Sequence, residues 1–244
     1  MKMIAATRLG RAQRAMDAAK KYGAASQEVF KEAEAKPTDE GRELVIVASS
    51  DKGLCGGIHT SLSKYTRGVI GKSPESEVVV LGEKSKGQLQ RSIGKNIKLS
   101  FNQVGKAIPT YSEAAQITDT ILSSGLEFDR VTIVYNEFVS SMSFGTVGIP
   151  VFSEQALVDA AKFSQYELEE DVTKDLAQFA LTNAIFSALV EGHASEINSK
   201  RNAMDNASKN AGDMITDLNL LYNRGRQAAI TNELIDIITG ASSL

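Results

Sequence analysis

The chain has 244 residues, a net charge of −3, 42% hydrophobic residues and 23% charged residues, which is typical of one or two globular domains. No apolar run reaches the roughly 20 residues that a membrane-spanning helix needs. Cys55 is the one cysteine, and the two histidines, His59 and His193, lie far apart in sequence. This composition excludes an internal disulfide and predicts no metal site.

Residues 1–36 predict an unbroken N-terminal helix. Its apolar and small side chains fall on two series with seven-residue spacing: Leu9, Met16 and Phe30, and Ala5, Ala12, Ala19, Ser26 and Ala33. Large and small residues alternating at steps of three and four are typical of a close-packed coiled coil. No capping residue precedes the helical pattern, which starts at Met1. We therefore expect the natural polypeptide to extend further upstream.

Residues 42–160 alternate strand and helix signals. Apolar, β-branched runs predict strands at Leu44–Ser50, Val78–Gly82, Ile97–Phe101 and Val131–Asn136. Helical spacing predicts helices at Ile58–Ile70, Glu83–Ser92 and Tyr111–Gly125. The segment Ser143–Phe152, which contains Gly145 and Gly148, is either an added edge strand or a hairpin. This alternation predicts a central Rossmann-like α/β domain with a mostly parallel sheet and helices on both faces.

Residues 170–244 predict one long C-terminal helix. All four prolines lie before it, and at about 1.5 Å per residue it would be on the order of 100 Å long. An apolar seam runs along it through Phe186, Val190, Ile197, Met204, Ala207, Ala211, Met214, Leu218, Leu221, Gly225 and Ala228. A helix of this length needs a partner. We expect it to pair with the N-terminal helix in an antiparallel two-helix coiled coil.

Two features of the first strand–helix loop could suggest catalysis. In Ser50–Gly57 (SDKGLCGG) the glycines at 53, 56 and 57 do not match the dinucleotide-binding spacing G-x-G-x-x-G. We therefore predict a tight turn that allows close packing of helix on sheet. Cys55 and His59 could form an activated thiolate pair, but no third residue is available to orient the histidine. A small buried thiol is favoured, so the sequence predicts no catalytic residue and no cofactor.

The last residues of the chain carry an unusual apolar surface. Leu234, Ile235, Ile237 and Ile238 cover much of the helix circumference, which predicts enclosure by another protein. The alternative is a terminal helix that folds back on the α/β domain. Just before this stretch, Arg224, Arg226 and Gln227 place guanidinium and amide donors at one level of the helix, suited to orientation-dependent contacts with carboxylates.

Four sequence segments resemble the gamma subunit of F-type ATP synthases. They are MKMIAA at residues 1–6, SDKGLCGG at 50–57, RNAMDNASKNAGD at 201–213 and YNRGRQAAITNELIDIITGASSL at 222–244. Because they include both ends and the middle, the resemblance covers essentially the whole chain. The SDKGLCGGIH form and the GASSL ending resemble mitochondrial members, and the cysteine insertion of the chloroplast form is missing.

The resemblance implies a non-catalytic subunit that acts as the central rotating shaft of F1Fo ATP synthase. Such a shaft couples proton-driven rotation of the c-ring to conformational changes at the catalytic sites of the hexamer. The implied partners are the alpha and beta subunits of the F1 hexamer, the delta and epsilon subunits and the c-ring, without nucleic acid or directly bound nucleotide. The implied location is the matrix side of the mitochondrial inner membrane, peripheral to the bilayer.

The resemblance also implies roles for particular residues. Arg226, Gln227 and Thr231 match the family's contacts with a loop of a catalytic beta subunit, and Met1 and Lys2 match the opposite side of that level. Arg224 joins this group, and the apolar tip with Leu234, Ile237 and Ile238 would turn in a hydrophobic sleeve. Tyr166, Glu167 and Glu169 correspond loosely to the region near the c-ring. The alternatives are an α/β enzyme with a coiled-coil dimerisation arm and a purely structural tether.

Overall fold

The computed structural model describes residues 2–35, 41–160, 162–163 and 172–242. The helices are α1 (Lys2–Ser26), α2 (Glu28–Glu32), α3 (Ile58–Lys72), α4 (Glu83–Ile93), α5 (Tyr111–Ser123), α6 (Glu154–Val158) and α7 (Thr173–Ser242). The strands are β1 (Glu43–Ala48), β2 (Glu77–Leu81), β3 (Ile97–Phe101), β4 (Arg130–Phe138) and β5 (Phe144–Val151). Met1 and the residues around Tyr166, Glu167 and Glu169 lie outside the described residues.

The five strands form one sheet in the order β3-β2-β1-β4-β5. The pairs β1–β2, β1–β4 and β2–β3 are parallel, whereas β5 runs antiparallel to β4. The segment predicted as an edge strand or a hairpin is both, because β5 pairs with the preceding strand and lies at the edge of the sheet. Pro150 fits this edge position, since proline cannot donate a ladder hydrogen bond.

Both faces of the sheet are covered by helices, as a parallel sheet requires. Helices α3 and α4 cover one face, where Leu62, Ile70 and Leu89 pack on alternate residues of β1, β2 and β4. Helix α5 and the first part of α7 cover the other face, and α7 contributes Leu181, Ile185 and Leu189. The sequence predicted helices on both faces but did not assign the long helix to the sheet.

Helices α1 and α7 pair in an antiparallel arrangement. Leu9, Ala12, Met16 and Ala19 of α1 form one apolar cluster with Val190, Ala194 and Ile197 of α7. The ammonium group of Lys20 lies 2.7 Å from the carboxylate of Glu191, and the Tyr22 hydroxyl donates to Asn183 at 3.1 Å. Residues further along α1 therefore contact residues earlier on α7, as antiparallel helices do. A Cβ on Gly23 would lie 2.6 Å from Ser187 Oγ, so the two helices approach closely at this glycine.

Two predictions about these helices are wrong in detail. The N-terminal helix is interrupted, because α1 ends at Ser26 and a short second helix follows, in which Phe30 stacks on Phe152 with ring centroids 4.9 Å apart. The α7 seam over Ala207–Ala228, expected to pack on the N-terminal helix, is exposed throughout. Within the described residues, α1 has 25 residues and α7 has 70, so α1 covers only part of α7.

The chain divides into two compact units, Met1–Asn202 and Ala203–Leu244, and α7 contributes residues to both. The first unit contains the sheet, its helices and the paired region of α1 and α7. The second unit contains only residues of α7. The division of the chain into domains 1–36, 42–160 and 170–244 was based on the predicted helices and strands, and it stays a prediction.

Candidate partner-binding surface and the closed crevice of the sheet

The described residues of the second unit present a long apolar surface. Large side chains that are about half or more exposed there are Met214, Ile215, Leu218, Leu220, Leu221, Tyr222, Ile230, Leu234, Ile235, Ile237 and Ile238. At the end of the helix, Leu234 is 54% exposed, Ile237 66% and Ile238 65%. Contiguous apolar surface of this kind is typical of a protein interaction site. The residues of α7 that were predicted to bind a partner are therefore exposed, and their role stays a prediction.

Helical spacing places the predicted contact residues in two neighbouring rows on α7. Steps of three and four residues put Arg224, Gln227, Thr231, Leu234 and Ile238 in the first row, and Arg226 and Ile237 in the second. The Thr231 hydroxyl donates to the backbone carbonyl of Gln227 at 2.8 Å, and Gln227 is itself exposed. Polar donors and apolar side chains thus share one side of the helix.

The guanidinium groups of Arg224 and Arg226 have no contacts within the described part of the second unit. Within residues 203–242, no hydrogen bond or ion pair involves the guanidinium group of Arg224 or Arg226, and the ion pair there joins Lys209 and Asp205. Lys2, the first residue of α1, is exposed, and Met1 lies outside the described residues. The free donors of α7 are therefore available for carboxylates or carbonyls of another chain.

The place where a Rossmann-like fold binds its ligand is closed. That place is the crevice at the carboxyl ends of β1 and β4, where the strand order reverses. Leu189, His193 and Glu196 of α7 line it together with Ser50 and His59, and the remaining space is about 20 Å³. This volume accommodates a single water molecule and no nucleotide.

The loop after β1 makes a tight turn, but the close approach of backbones involves a different glycine. Gly56 has a φ of +63°, as a tight turn requires, whereas a Cβ on Gly57 would meet no atom within 4 Å. The close contact is at Gly82, after β2, which has a φ of +101° and whose Cβ would lie 2.6 Å from the backbone of Ser50. The predicted turn is confirmed. The close backbone contact that was expected of this turn is made instead by Gly82.

Cys55 and His59 do not form a catalytic pair. The Cys55 thiol contacts the carbonyl of Gly53 at 3.2 Å and the carboxylate of Glu196 at 3.5 Å. His59 instead donates from Nε2 to the carbonyl of Lys52 at 3.0 Å and accepts at Nδ1 from Ser49 at 3.2 Å. Burial and the charge of Glu196 raise the pKa of Cys55 to about 12, so the thiolate nucleophile is not formed near neutral pH.

Buried polar residues of α7, which sequence reasoning did not single out, hold two loops of the first unit. Ser199 donates to the carbonyl of Cys55 at 2.5 Å, and Asn198 donates to the carbonyl of Ser140 at 2.9 Å. Burial raises the pKa of Glu196, which faces the same loop as Ser199. Polar residues on the seam side of a helix are the signal that could have identified them, because such residues need specific partners.

We expect the free energy of unfolding of the chain to depend on pH through His193. Burial, together with the charges of Lys52 and Arg8, lowers the pKa of His193 from 6.5 to about 4. Between these values the unfolded state binds a proton that the folded state does not, so stability falls as the pH falls. We expect a loss of about 2 kcal/mol between neutral pH and about pH 5 from this group. Urea unfolding of the full chain at both pH values measures it.

The matched control for this prediction is His193→Gln, which keeps a polar side chain that does not titrate. We expect a smaller loss of stability with falling pH in this variant. Glu196 acts in the opposite sense, because its raised pKa lets the folded state keep a proton above the ordinary value of 4.5. Equal pH dependence in the variant and the parent chain would contradict the assignment to His193.

The described residues contain no cluster of three histidine, cysteine, aspartate or glutamate side chains placed to hold a metal ion. None of the helices described is both long and apolar enough to cross a bilayer.

Among solved structures, the fold is similar to chains of mitochondrial ATP synthases. A chain from the Euglena gracilis mitochondrial ATP synthase, in a structure of OSCP, F1 and the c-ring, matches with a TM-score of 0.75 and 18% identity. The match covers 99% of this chain and 94% of that one. A chain from the central stalk and c-ring structure of the Tetrahymena thermophila enzyme matches with a TM-score of 0.71 and 23% identity, over 85% and 97% of the two chains. At these identities the likeness concerns the fold alone.

Similarity in sequence identifies the family more specifically than similarity in fold does. The sequence profile described as ATP synthase matches residues 1–244. The mitochondrial ATP synthase gamma subunit of Yarrowia lipolytica is 51% identical over all of this chain and 85% of its own length. The corresponding subunits of Saccharomyces cerevisiae and Rattus norvegicus are 46% and 41% identical over all of this chain, and over 82% and 92% of their own lengths. The chain therefore belongs to the family of ATP synthase gamma subunits.

Proposed function

We propose that this chain is the central rotating shaft of a mitochondrial F1Fo ATP synthase. It couples proton-driven rotation of the c-ring to conformational changes at the catalytic sites of the alpha/beta hexamer. The observation that carries this proposal is the exposed surface of residues 203–242, where apolar side chains and unpaired guanidinium groups share one helix. Relatives at 41–51% identity are named as mitochondrial gamma subunits, which supports the location on the matrix side of the inner membrane.

The chain itself carries no catalytic role in this proposal. The crevice of its Rossmann-like sheet has room for about one water molecule, and the Cys55 thiol stays protonated near neutral pH. Both observations support a subunit that transmits force and leaves the nucleotide chemistry to other chains. They also weigh against the alternative of an α/β enzyme with a dimerisation arm, which would need an open ligand site.

The partners in this proposal follow from the two units of the chain. Residues 203–242 of α7 contact the alpha and beta subunits, and Leu234, Ile237 and Ile238 turn within a hydrophobic sleeve. The sheet domain contacts the delta and epsilon subunits and the c-ring. Met1 and Lys2 contact the hexamer as well. Solved structures of similar fold come from assemblies that contain the c-ring, one of them together with F1, which supports this set of partners.

Asymmetry explains how a shaft changes nucleotide affinity. A single helix with distinct rows of side chains cannot contact three catalytic beta subunits equivalently, so each angle stabilises a different conformation at each site. The difference is a coupling free energy between shaft angle and nucleotide affinity. Shifting a site from about 1:99 to 99:1 needs about 5.5 kcal/mol, and each hydrogen bond to a charged group contributes about 1.5–3 kcal/mol. A few contacts at the level of Arg226 and Gln227 therefore supply much of the coupling.

The double variant Arg226→Ala/Gln227→Ala tests the proposal in the assembled ATP synthase. We expect the number of protons pumped per ATP hydrolysed to fall severalfold, because about 1.5–3 kcal/mol of angle-dependent contact is lost. Proton pumping into vesicles, followed with a pH-sensitive dye, is compared with the rate of ATP hydrolysis. Circular dichroism should show an unchanged fold, since both side chains are exposed on α7.

The matched control is Lys72→Ala/Gln90→Ala, which removes one basic and one amide side chain that are exposed on α3 and α4. These residues belong to the sheet domain and should leave the ratio of pumping to hydrolysis at the parent value. Unchanged coupling in the Arg226 and Gln227 variant would overturn their assignment as contacts to a catalytic subunit.

A further inference from the structure

Three buried polar side chains line the small cavity at the carboxyl ends of β1 and β4. Glu196 and His193 belong to α7, and Ser50 belongs to the loop after β1. They are 2%, 9% and 5% exposed, respectively, and the cavity has a volume of about 20 Å³. Among the described residues, Glu196 Oε2, His193 Nδ1 and Ser50 Oγ have no hydrogen-bond partner. Three side chains with an unsatisfied polar atom therefore border one small space.

Gly105 indicates that two of these groups face the same part of that space. It lines the cavity and has a φ of +76°, in the left-handed region that favours glycine. A Cβ placed on Gly105 would lie 3.5 Å from Glu196 Oε2 and 3.0 Å from Ser50 Cβ. Because glycine has no Cβ, the carboxyl oxygen and the serine side chain border a shared gap. They lie near each other without a direct hydrogen bond.

Contacts within the chain leave the carboxyl group of Glu196 only partly satisfied. Its Oε1 receives the thiol of Cys55 at 3.5 Å, which is a long contact from a weak donor. Among the described residues, no basic side chain forms an ion pair with Glu196. Burial raises the pKa of Glu196, whereas the nearby Ser50 hydroxyl and Cys55 thiol act in the opposite sense. Buried polar atoms nearly always have a partner from the protein or from ordered water, so Oε2 needs a partner that the chain does not supply.

We propose that this cavity binds one internal water molecule, which forms hydrogen bonds with Glu196 Oε2, Ser50 Oγ and His193 Nδ1. The volume suits a single water molecule, which needs roughly 10–15 Å³. Three polar partners are typical of a buried water, and water can both donate and accept, as a carboxyl, a hydroxyl and an imidazole together require. A metal cation fits less well, because Glu196 is the one acidic side chain among the described residues that line the cavity.

The water connects α7 to the loop after β1. Two direct contacts already join them, since Ser199 donates to the carbonyl of Cys55 at 2.5 Å and the Cys55 thiol contacts Glu196. The water adds a third link, from Glu196 and His193 to Ser50. All of these residues belong to the first unit, so the proposal does not depend on the function of residues 203–242.

The first test is a structure of the assembled ATP synthase at a resolution that shows ordered water molecules. We expect one peak of density at hydrogen-bond distance, about 2.5–3.2 Å, from Glu196 Oε2, Ser50 Oγ and His193 Nδ1. A cavity without such a peak, or a direct hydrogen bond between Glu196 and Ser50 that closes the gap, would overturn the proposal.

The second test counts long-lived internal water molecules in the full chain by magnetic relaxation dispersion of isotope-labelled water. The double variant Ser50→Ala/Glu196→Leu replaces two of the partners with apolar side chains, and we expect it to bind one long-lived water fewer than the parent chain. The control Ser63→Ala removes another buried hydroxyl without a hydrogen-bond partner among the described residues. Ser63 does not line this cavity, so the count should stay the same. Equal counts in the double variant and the parent chain would refute the site.

Two single variants keep this test decisive if the double variant does not fold. Glu196→Gln retains a side-chain oxygen and gains an NH₂ donor, so it should keep the water. For Ser50→Ala we expect the residence time of the water to shorten about two- to tenfold, because one hydrogen bond is lost. An unchanged residence time in a folded Ser50→Ala chain would contradict the assigned partners.

Salt exchange tests the competing ligand, a metal cation. We expect the midpoint of thermal unfolding of the full chain to be the same in sodium, potassium and choline chloride at equal ionic strength. A midpoint that one metal cation raises in the parent chain but not in Glu196→Gln would assign the cavity to that cation and rule out the water.

Discussion

We expect Ile185→Ala to lower the free energy of unfolding by about 2–5 kcal/mol. Ile185 lies on α7, is 1% exposed, and packs in the apolar cluster that joins α7 and α5 to the sheet. Truncating a fully buried isoleucine loses its transfer free energy and leaves a cavity that its neighbours fill only partly. Urea unfolding of the full chain, followed by circular dichroism, measures the loss.

The control for this prediction is Ile215→Ala on the same helix. Ile215 is 60% exposed, so its truncation should change the free energy of unfolding by no more than about 0.5 kcal/mol. Both substitutions make the same change in helix propensity, and the comparison isolates burial. An equal effect at both positions would contradict the packing of α7 on the sheet as the source of the loss.

We expect Glu191→Ala to lower the free energy of unfolding by about 2–4 kcal/mol. Glu191 is 6% exposed on α7 and accepts the backbone N–H of Phe138 at 3.1 Å. It also contacts the ammonium group of Lys20 at 2.7 Å and the hydroxyl of Tyr135. One carboxylate therefore joins α1, α7 and the end of β4. Alanine would leave the N–H of Phe138 without this acceptor in a partly buried place, which is costly.

The controls separate hydrogen bonding from charge. Glu191→Gln keeps an oxygen that can accept from Phe138, so it should lose about half as much stability as the alanine variant. Lys20→Met should cost less than about 1 kcal/mol, because the Lys20 side chain is 44% exposed and its ion pair is screened by water. Equal losses for the alanine and glutamine variants would contradict the role of the Phe138 contact.

The local elements of the sheet domain were predictable because their signals lie within short stretches of sequence. The apolar run Val131–Asn136 lies within β4, and β3 matches its prediction at both ends. Gly145 and Gly148 indicated an edge strand or a hairpin, and β5, which pairs antiparallel with β4 at the edge of the sheet, is both. A strand that is buried on both faces needs continuous apolar side chains, and this pattern is visible without knowledge of the neighbours.

For the long helix, the sequence predicted the element but not the elements that pack on it. The absence of proline after Pro150 and the period of its apolar residues predicted one helix, and α7 confirms this over Thr173–Ser242. The same period did not predict which part of α7 packs on the sheet and which part packs on α1. A repeat of 3.6 residues identifies an apolar face of a helix but not the element that packs on it. Phe186 and Val190 were assigned to one seam, yet Phe186 also packs against the sheet cluster.

By itself, the sequence determined the strands and the longer helices, the mostly parallel sheet, the pairing of the terminal helices and the apolar surface around Leu234, Ile237 and Ile238. Only the tertiary structure decided that Glu196 and His193 close the crevice and that Gly82 approaches Ser50. The physical reason is the distance along the sequence over which each property is determined. Helix and strand preferences depend on neighbours within a few residues, whereas burial, pKa and charge balance are sums over side chains that are distant in sequence.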